Sequence, residues 1–510
     1  MKKLYISTVA ATMLFAVSCQ SDFENSTEDV VVTSGEANFS KYIALGNSLT
    51  SGFRDNALYI DGQNESYPNI IAQQMKRAGG GEFVQPLMSD NNGGMILGTT
   101  VIQATKLYIE SFSNGSPVLK NVAATPTTDV TKKLSGTINN MGVPGAKSFH
   151  LIAPGYGNLS GITLGTANPY YVRFATSATS TVAGDAAAQK PTFFSLWIGN
   201  NDVLSYASSG GLGTDQKGNT NPASYGSNDI SDPNVVAGAI KTVLETLKAA
   251  GSTKGVIANI PYVTSIPYFT TVPYNPLTPQ KLGSNITVLN ASLYGPLKQA
   301  LTAFGAGDRI NLLSSTASNP VLIKDVSLTN LSAQLTAALT PSLGAATAAA
   351  FGQIYGQARQ ATAEDYVLLT ASSVIATTNA SAPASINVNG VSYPLENQYV
   401  LTKTEAASVK TAIDAYNSQI SALATAYGLA FVNANAKMVE LNSASGIQFD
   451  GVKYSAKFVT GGTFSLDGVH LTGRGYAVVA NEFLKAINYK YKSNLPMVNP
   501  NSYSGVTFPK

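Results

Sequence analysis

The sequence predicts an α/β fold, a parallel sheet covered by helices on both faces. Short, nearly continuous apolar runs such as Thr192–Ile198 end abruptly on glycine, as strands buried on both faces do. Longer stretches with apolar residues at helical spacing alternate with these runs. Segments rich in Gly, Asn and Ser fall mostly just after the strand candidates, where open α/β sheets place their ligands.

Tyr42–Leu45 is the first strand candidate, and Tyr67–Arg77 the first helix, with Ile70, Ile71 and Met75 on one side. Thr192–Ile198 follows as a strand, Val235–Ala250 as a helix and Gly255–Pro261 as a third strand. Ala406–Tyr427 reads as a long helix leading into the strand Leu429–Val432, and Gly475–Tyr489 as a closing amphipathic helix. Such alternation argues for a parallel sheet. Two blocks interrupt it. Gly79–Ser135 is rich in Gly, Asn and Thr with little periodicity, and Tyr262–Val400 is longer, with an Ala/Thr/Leu-rich stretch from Leu328 to Ala376. The uncharged run Ser327–Ala358 is broken by Pro341 and several Thr and Gly, so it is too weakly hydrophobic for lipid. The longer block is expected to form a helical cap over the reactive face and to shape the substrate pocket.

With 510 residues the chain exceeds one compact core, yet no strong linker divides it; one elaborated domain or two are both open. Only 12% of residues are charged, a composition common in exported proteins. The net charge is +3, two units of which come from Lys2 and Lys3, so no basic field for nucleic acid is evident. There is no zinc-type cluster, P-loop or dinucleotide fingerprint, and neither a metal nor a cofactor is expected.

The N-terminus reads as a targeting segment. Lys2 and Lys3 precede a mostly apolar stretch, Tyr5 to Val17, that is too short to span a bilayer as a mature helix. It ends in Leu14-Phe15-Ala16-Val17-Ser18-Cys19, and Cys19 is the only cysteine, which excludes intramolecular disulfides. This resembles the lipobox of bacterial lipoproteins, implying a signal peptide over 1–18, acylation of Cys19 and an extracytoplasmic, outer-membrane-anchored protein. Gln20-Ser21-Asp22-Phe23-Glu24 resembles an acidic surface-export tag. Residues 19–39 read as a flexible tether, 40–490 as the folded domain with insertions at about 79–135 and 262–400, and 491–510 as a C-terminal tail.

Four short signals carry chemistry. Gly46-Asn47-Ser48-Leu49 follows the first strand, and Gly142-Val143-Pro144-Gly145 and Gly199-Asn200-Asn201-Asp202 sit where strands would give way to loops. Asp467-Gly468-Val469-His470 puts a carboxylate three residues before an imidazole in a chain with only two histidines. Together they point to a serine esterase with an oxyanion hole. No Gly-x-Ser-x-Gly elbow surrounds Ser48, against the ordinary α/β-hydrolase arrangement.

In order and context these blocks resemble those of the SGNH (GDSL) hydrolases, in particular the long GDSL-type lipoproteins of Bacteroidetes. The resemblance implies a three-layer α/β/α sandwich around a five-stranded parallel sheet, a flavodoxin-like arrangement. It makes Ser48 the nucleophile, His470 its base and Asp467 the carboxylate that holds the imidazole. The oxyanion donors map onto the backbone N–H of Ser48, that of Gly145 and the side-chain amide of Asn201, with Gly142 competing for the glycine's place. Glycine there is expected to let the backbone approach closely. The family usually has Asp where this chain has Asn47, a supporting position.

Blander readings stand beside these. Ser48 suits a helix N-cap, Asn201 an Asx turn, and Asp467 and His470 a solvated loop pair. His150 reads as a helix-surface or core histidine and Trp197 as packing inside the sheet. Substrate is open between a lipid ester and an acetylated glycan, and acyl transfer differs from hydrolysis only in what intercepts the acyl-enzyme. The alternative class is a surface lipoprotein that binds glycan or lipid without cleaving it.

Overall fold

The computed structural model describes residues 31–509 apart from Asn114. Five parallel strands form the central sheet: β1 (Tyr42–Gly46), β2 (Asn140–Gly142), β3 (Phe193–Trp197), β4 (Gly255–Ala258) and β5 (Ala430–Val432). Their order across the sheet is 2-1-3-4-5, a doubly wound order whose connections reverse direction between β1 and β3. In register, Gly46 lies beside Gly142 of β2 and Trp197 of β3. Every residue of β1, β3 and β4 is buried, which is why these strands read as apolar runs. β2 is three residues of Asn, Met and Gly, too short and polar to announce itself.

The helices that cover the sheet or border its carboxyl edge include α1 (Ser48–Ser51), α2 (Tyr67–Lys76), α3 (Val182–Ala188), α4 (Asn201–Ser208), α5 (Pro233–Ala249), α6 (Lys403–Ala426), α7 (Ala434–Asn442) and α8 (Gly473–Tyr491). On one face α2 packs against α8, and on the other α5 packs against α3 and α6. Alternation along β3 divides its side chains between these layers. Trp197 meets Tyr67 of α2 and Phe483 of α8 at ring-centroid distances of 5.7 and 6.0 Å, while Phe194 lies beside Leu244 of α5 and Leu423 of α6. α5 buries Ile240, Val243, Leu244 and Leu247, one helical stripe in which each side chain contributes about 1.5–3 kcal/mol. Its start is set by Asp232, which caps Asn234 and Val235, and by Pro233 in the first turn. α6 begins three residues ahead of its predicted start because Thr402 and Glu405 form a capping box.

Residues 79–135 contain two antiparallel hairpins, Met95–Leu97 with Thr100–Gln103 and Leu107–Ser113 with Ser116–Asn121. Residues 262–400 combine short helices and ribbons around their own core, including Leu301, Ile323, Leu335 and Tyr355. The uncharged run folds as two helices, Ser332–Leu343 and Ala345–Tyr355, that pack against each other about Gly344, whose φ is +75°. Among the described residues no helix is long and apolar enough to cross a membrane. Buried Arg359 pairs with Asp325 and Asp365, each at 2.7 Å. Asp365 also accepts the N–H of Lys403 at 2.9 Å, tying this block to the start of α6.

Both expected termini of the domain shift. The segment from residue 491 is no loose tail: Leu495 is buried, and Asn481 of α8 exchanges two 2.8 Å hydrogen bonds with the backbone of Val498. The end of the expected tether also joins the fold, since Phe39 packs on Phe193 and Glu36 donates its N–H to Tyr491. The signal peptide over 1–18 and Cys19 lie outside the described residues.

Candidate active site

β1 ends at Gly46, and Asn47 turns the chain directly into α1. The Asn47 Oδ1 accepts the N–H of Leu49 at 3.1 Å, and its Nδ2 donates to Oδ1 of Asn200 at 3.3 Å. An aspartate here could accept but not donate, so the asparagine also links this turn to the loop after β3. Ser48 is thereby held at the carboxyl edge of the sheet, beside the reversal between β1 and β3, where ligands of doubly wound sheets bind.

The Oγ of Ser48 lies 2.8 Å from Nε2 of His470, and Nδ1 of His470 lies 2.9 Å from Oδ2 of Asp467. Ser48 thus joins a carboxylate–imidazole pair more than four hundred residues further on in one hydrogen-bonded chain. The Asp467–His470 loop is tight for local reasons. Asp467 Oδ1 accepts the N–H groups of Val469 and His470 at 2.9 and 2.8 Å, and Gly468 takes φ +70°. Phe53 covers the imidazole at 4.6 Å between ring centroids. Burial pushes the Asp467 carboxyl up, but the adjoining His470 and the N–H donors of His470 and Asn56 outweigh it and hold the group well below the usual carboxylate range. An ionised carboxylate at Nδ1 fixes the tautomer that leaves Nε2 free to accept a proton from Ser48.

Gly142, the last residue of β2, and Gly145 just beyond it differ in a way the sequence did not separate. Gly142 is the crowded one: a Cβ there would collide with the backbone of Thr50 and Ser51, and its N–H already donates to Asn140 Oδ1 at 3.0 Å. Gly145 is exposed, with only Asn168 near the place of a Cβ, at 3.9 Å. Close packing within the fold therefore requires glycine at 142, whereas at 145 the residue is set by its φ of +81°. Neither the N–H of Gly145 nor that of Ser48 has an acceptor among the described residues. Asn201, buried at the start of α4, donates one amide hydrogen to Ala146 at 3.0 Å, which anchors the amide beside this loop and leaves its second hydrogen.

Asp202 fastens the Gly145 loop from behind, accepting the N–H and Oγ–H of Ser148 at 2.7 and 2.9 Å. His150 belongs to the same brace. Its Nδ1 accepts the N–H of Lys147 at 3.0 Å, and its ring stacks on Tyr156 at 4.5 Å. Burial and then the Lys147 charge push its pKa down to about 4, consistent with an imidazole kept neutral as an acceptor.

Ser48, Asn201 and His470 border an apolar pocket between α7, α8 and the ends of β3 and β5, walled in part by Trp197, Val432, Met438 and Val478. Trp197 packs in the core as expected and also lines this pocket. Of residues 262–400 only Val263 and Ile266 line this pocket, so that block does not wall it as its length suggested. It braces the reactive loop instead: Tyr268 donates its N–H to Gly468 at 2.9 Å, and a Cβ on Gly468 would meet Leu369 at 2.9 Å. Many of its apolar residues are buried instead in a core of its own.

Sequence reading missed Asn56, whose N–H donates to Asp467 Oδ2 at 2.9 Å, and Asp55, whose carboxylate accepts the N–H of Leu466 at 3.1 Å. Consecutive Asp and Asn signal a tight turn, but nothing local says that the turn meets a loop more than four hundred residues on. Among the described residues no group of three or more His, Cys, Asp or Glu is placed to hold a metal ion. The chain matches no family model and no curated protein.

Proposed function

We propose that this chain is a serine carboxylic-ester hydrolase of the SGNH/GDSL type, carried outside the cytoplasm and anchored in the outer membrane through an acylated Cys19. The observation that carries the reading is the 2.8 Å contact of Ser48 Oγ with His470 Nε2, continued at 2.9 Å to Asp467. Ser48 Oγ attacks the ester carbonyl while its proton passes to His470 Nε2, and Asp467 stabilises the imidazolium without taking the proton. Negative charge on the former carbonyl oxygen is met by the N–H groups of Ser48 and Gly145 and the free amide hydrogen of Asn201. Collapse breaks the bond to the alcohol, which leaves with the proton from His470. Water, deprotonated by the same imidazole, then releases the acid and restores Ser48. The backbone N–H groups of Ser48 and Gly145, which have no acceptor among the described residues, support this reading over a binding protein, which has no need of free donors together with a serine–histidine–aspartate chain.

Turnover of a short p-nitrophenyl ester by wild type and Ser48→Ala tests the proposal. The expected result is loss of turnover by several orders of magnitude with an unchanged unfolding midpoint. A folded wild type inactive on every ester tried returns the protein to the class of binding lipoproteins.

A further inference from the structure

The pocket beside Ser48 is built from side chains that leave little for a sugar to recognise. Val432, Met438, Leu441, Phe464, Val478 and Phe483 are all buried yet line it. Apart from Ser48, His470, Asn201 and the Nδ2 of Asn200, its side-chain polar groups are already engaged. Asn47 is bonded to Asn200, and Thr463 Oγ1 donates to Ser455 at 2.7 Å. Lys437 of α7 reaches Glu440 at 2.6 Å and Glu482 of α8 at 3.4 Å. Glycan binding needs polar groups free to converge on hydroxyls, whereas a wall of apolar and satisfied groups suits hydrocarbon.

The same residues give the pocket a length. It follows α8 from Gly475, near the reactive loop, to Glu482, a separation of about 10 Å at ~1.5 Å per helical residue. At C–C bonds of ~1.5 Å in a zigzag, that span takes an extended chain of about eight carbons. The Lys437–Glu482 pair joins α7 to α8 at the far end of this run.

We propose that this pocket binds the acyl chain of the ester, and that the substrates are esters of medium-chain fatty acids of about eight carbons. The proposal rests on the hydrolase reading of Ser48. The acyl part, rather than the alcohol, is assigned to the pocket because it stays bonded to Ser48 Oγ after the C–O bond to the alcohol breaks. The alcohol takes the proton from His470 and must depart. Gly145 is exposed and does not line the pocket, so the departing alcohol is assigned a path out past the Gly145 loop rather than into the pocket.

Two series of esters decide the matter: p-nitrophenyl acylates from acetyl to tetradecanoyl, and alkyl acetates from methyl to octyl. A small fluorophosphonate run alongside reports on Ser48. For wild type, kcat/KM is expected to rise at least about 30-fold from acetyl to octanoyl and to fall beyond about ten carbons, since each buried methylene adds a few-fold. The alkyl acetates should vary by less than about threefold on the same basis. Val479→Trp, on the half-buried wall of α8, should lower the octanoyl-to-acetyl ratio at least about tenfold by filling the space of several methylenes. Should that variant not fold, Ala434→Leu on α7 makes the same test, and the wild-type series needs no variant. If Ser48 is labelled and acetate is cleaved but acyl length brings no gain, the acyl-pocket proposal is overturned while the hydrolase reading stands. A gain with alkyl length instead overturns it in favour of an alcohol pocket. Absence of both labelling and turnover overturns the hydrolase reading and this proposal together.

Discussion

Asn56 donates its backbone N–H to Oδ2 of Asp467 at 2.9 Å from a left-handed conformation, φ +61°. Its neighbour Asp55 is also left-handed, at φ +52°, and the flanking Arg54 and Ala57 exchange two backbone hydrogen bonds of 3.1 Å. This is the two-residue turn that demands positive φ at both central positions and favours Asn and Asp there. Asp55 fastens it to the reactive loop, with its N–H on Ser465 Oγ at 3.0 Å and its carboxylate on the N–H of Leu466. The turn thus fixes the carboxylate that fixes the imidazole.

Asn56→Gly should preserve both the turn and the N–H, leaving turnover within a few-fold of wild type. Asn56→Val places a β-branched residue at positive φ and should cost about 1–2 kcal/mol of stability. It should also lower kcat more than it changes KM, because Asp467 loses a fixed donor. Urea unfolding together with steady-state kinetics on a short ester checks both.

The oxyanion loop gives a second contrast. Asn201→Ala removes one of the three proposed oxyanion donors and should lower turnover roughly 10²–10³-fold. Gly145→Ala meets open space but a left-handed backbone, so it should cost about 1–2 kcal/mol and turn the N–H away from the reaction. Gly142→Ala drives a methyl into the backbone of α1, so its larger effect should be on stability. Equal unfolding midpoints for the two glycine variants would contradict this division.

The second histidine should appear in stability rather than in catalysis. Its native pKa of about 4 lies below the ordinary 6.5, so as pH falls through that window the unfolded chain takes up a proton that the folded chain refuses. Stability is then lost with falling pH, by up to about 3 kcal/mol in the limit. Asp467 also loses stability with acid, but later: its pKa is held below 3.8, so its contribution is complete above that value and disappears only as pH falls through the native one. Unfolding curves at pH 7.5, 6 and 5 should therefore separate for wild type and converge for His150→Asn.

Much of this was legible in the sequence, and the misses share a cause. β1, β3 and β4 declare themselves because each is buried on both faces, and the long helices because their apolar stripes are periodic. β2 gave no such signal, being three residues held by neighbours on one side. Ser48, Gly145 and Asn201 could be named because each sits in a short block at a strand end, and Asp467 and His470 because their three-residue spacing in a chain with two histidines completes the order of blocks that the resemblance implies. What could not be read is contact between distant segments: the Asp55–Asn56 turn under Asp467, Tyr268 and Leu369 against Gly468, and α7 with α8 walling the pocket. Block length misled as well, since residues 262–400 contain enough Leu, Ile and Val to bury their own core.

The lipid anchor makes its own prediction. Metabolic labelling with a fatty-acid analogue should mark wild type and spare Cys19→Ser, with the wild type fractionating with membranes. Equal labelling of the two would remove the anchor from the account.

The most direct test of the central claim is fluorophosphonate labelling followed by mapping of the modified residue. A single adduct on Ser48, absent in Ser48→Ala, strongly slowed in His470→Asn and formed at near the wild-type rate in His150→Asn, is the predicted result. An adduct on another residue, or normal labelling of His470→Asn beside an unreactive His150→Asn, would contradict it.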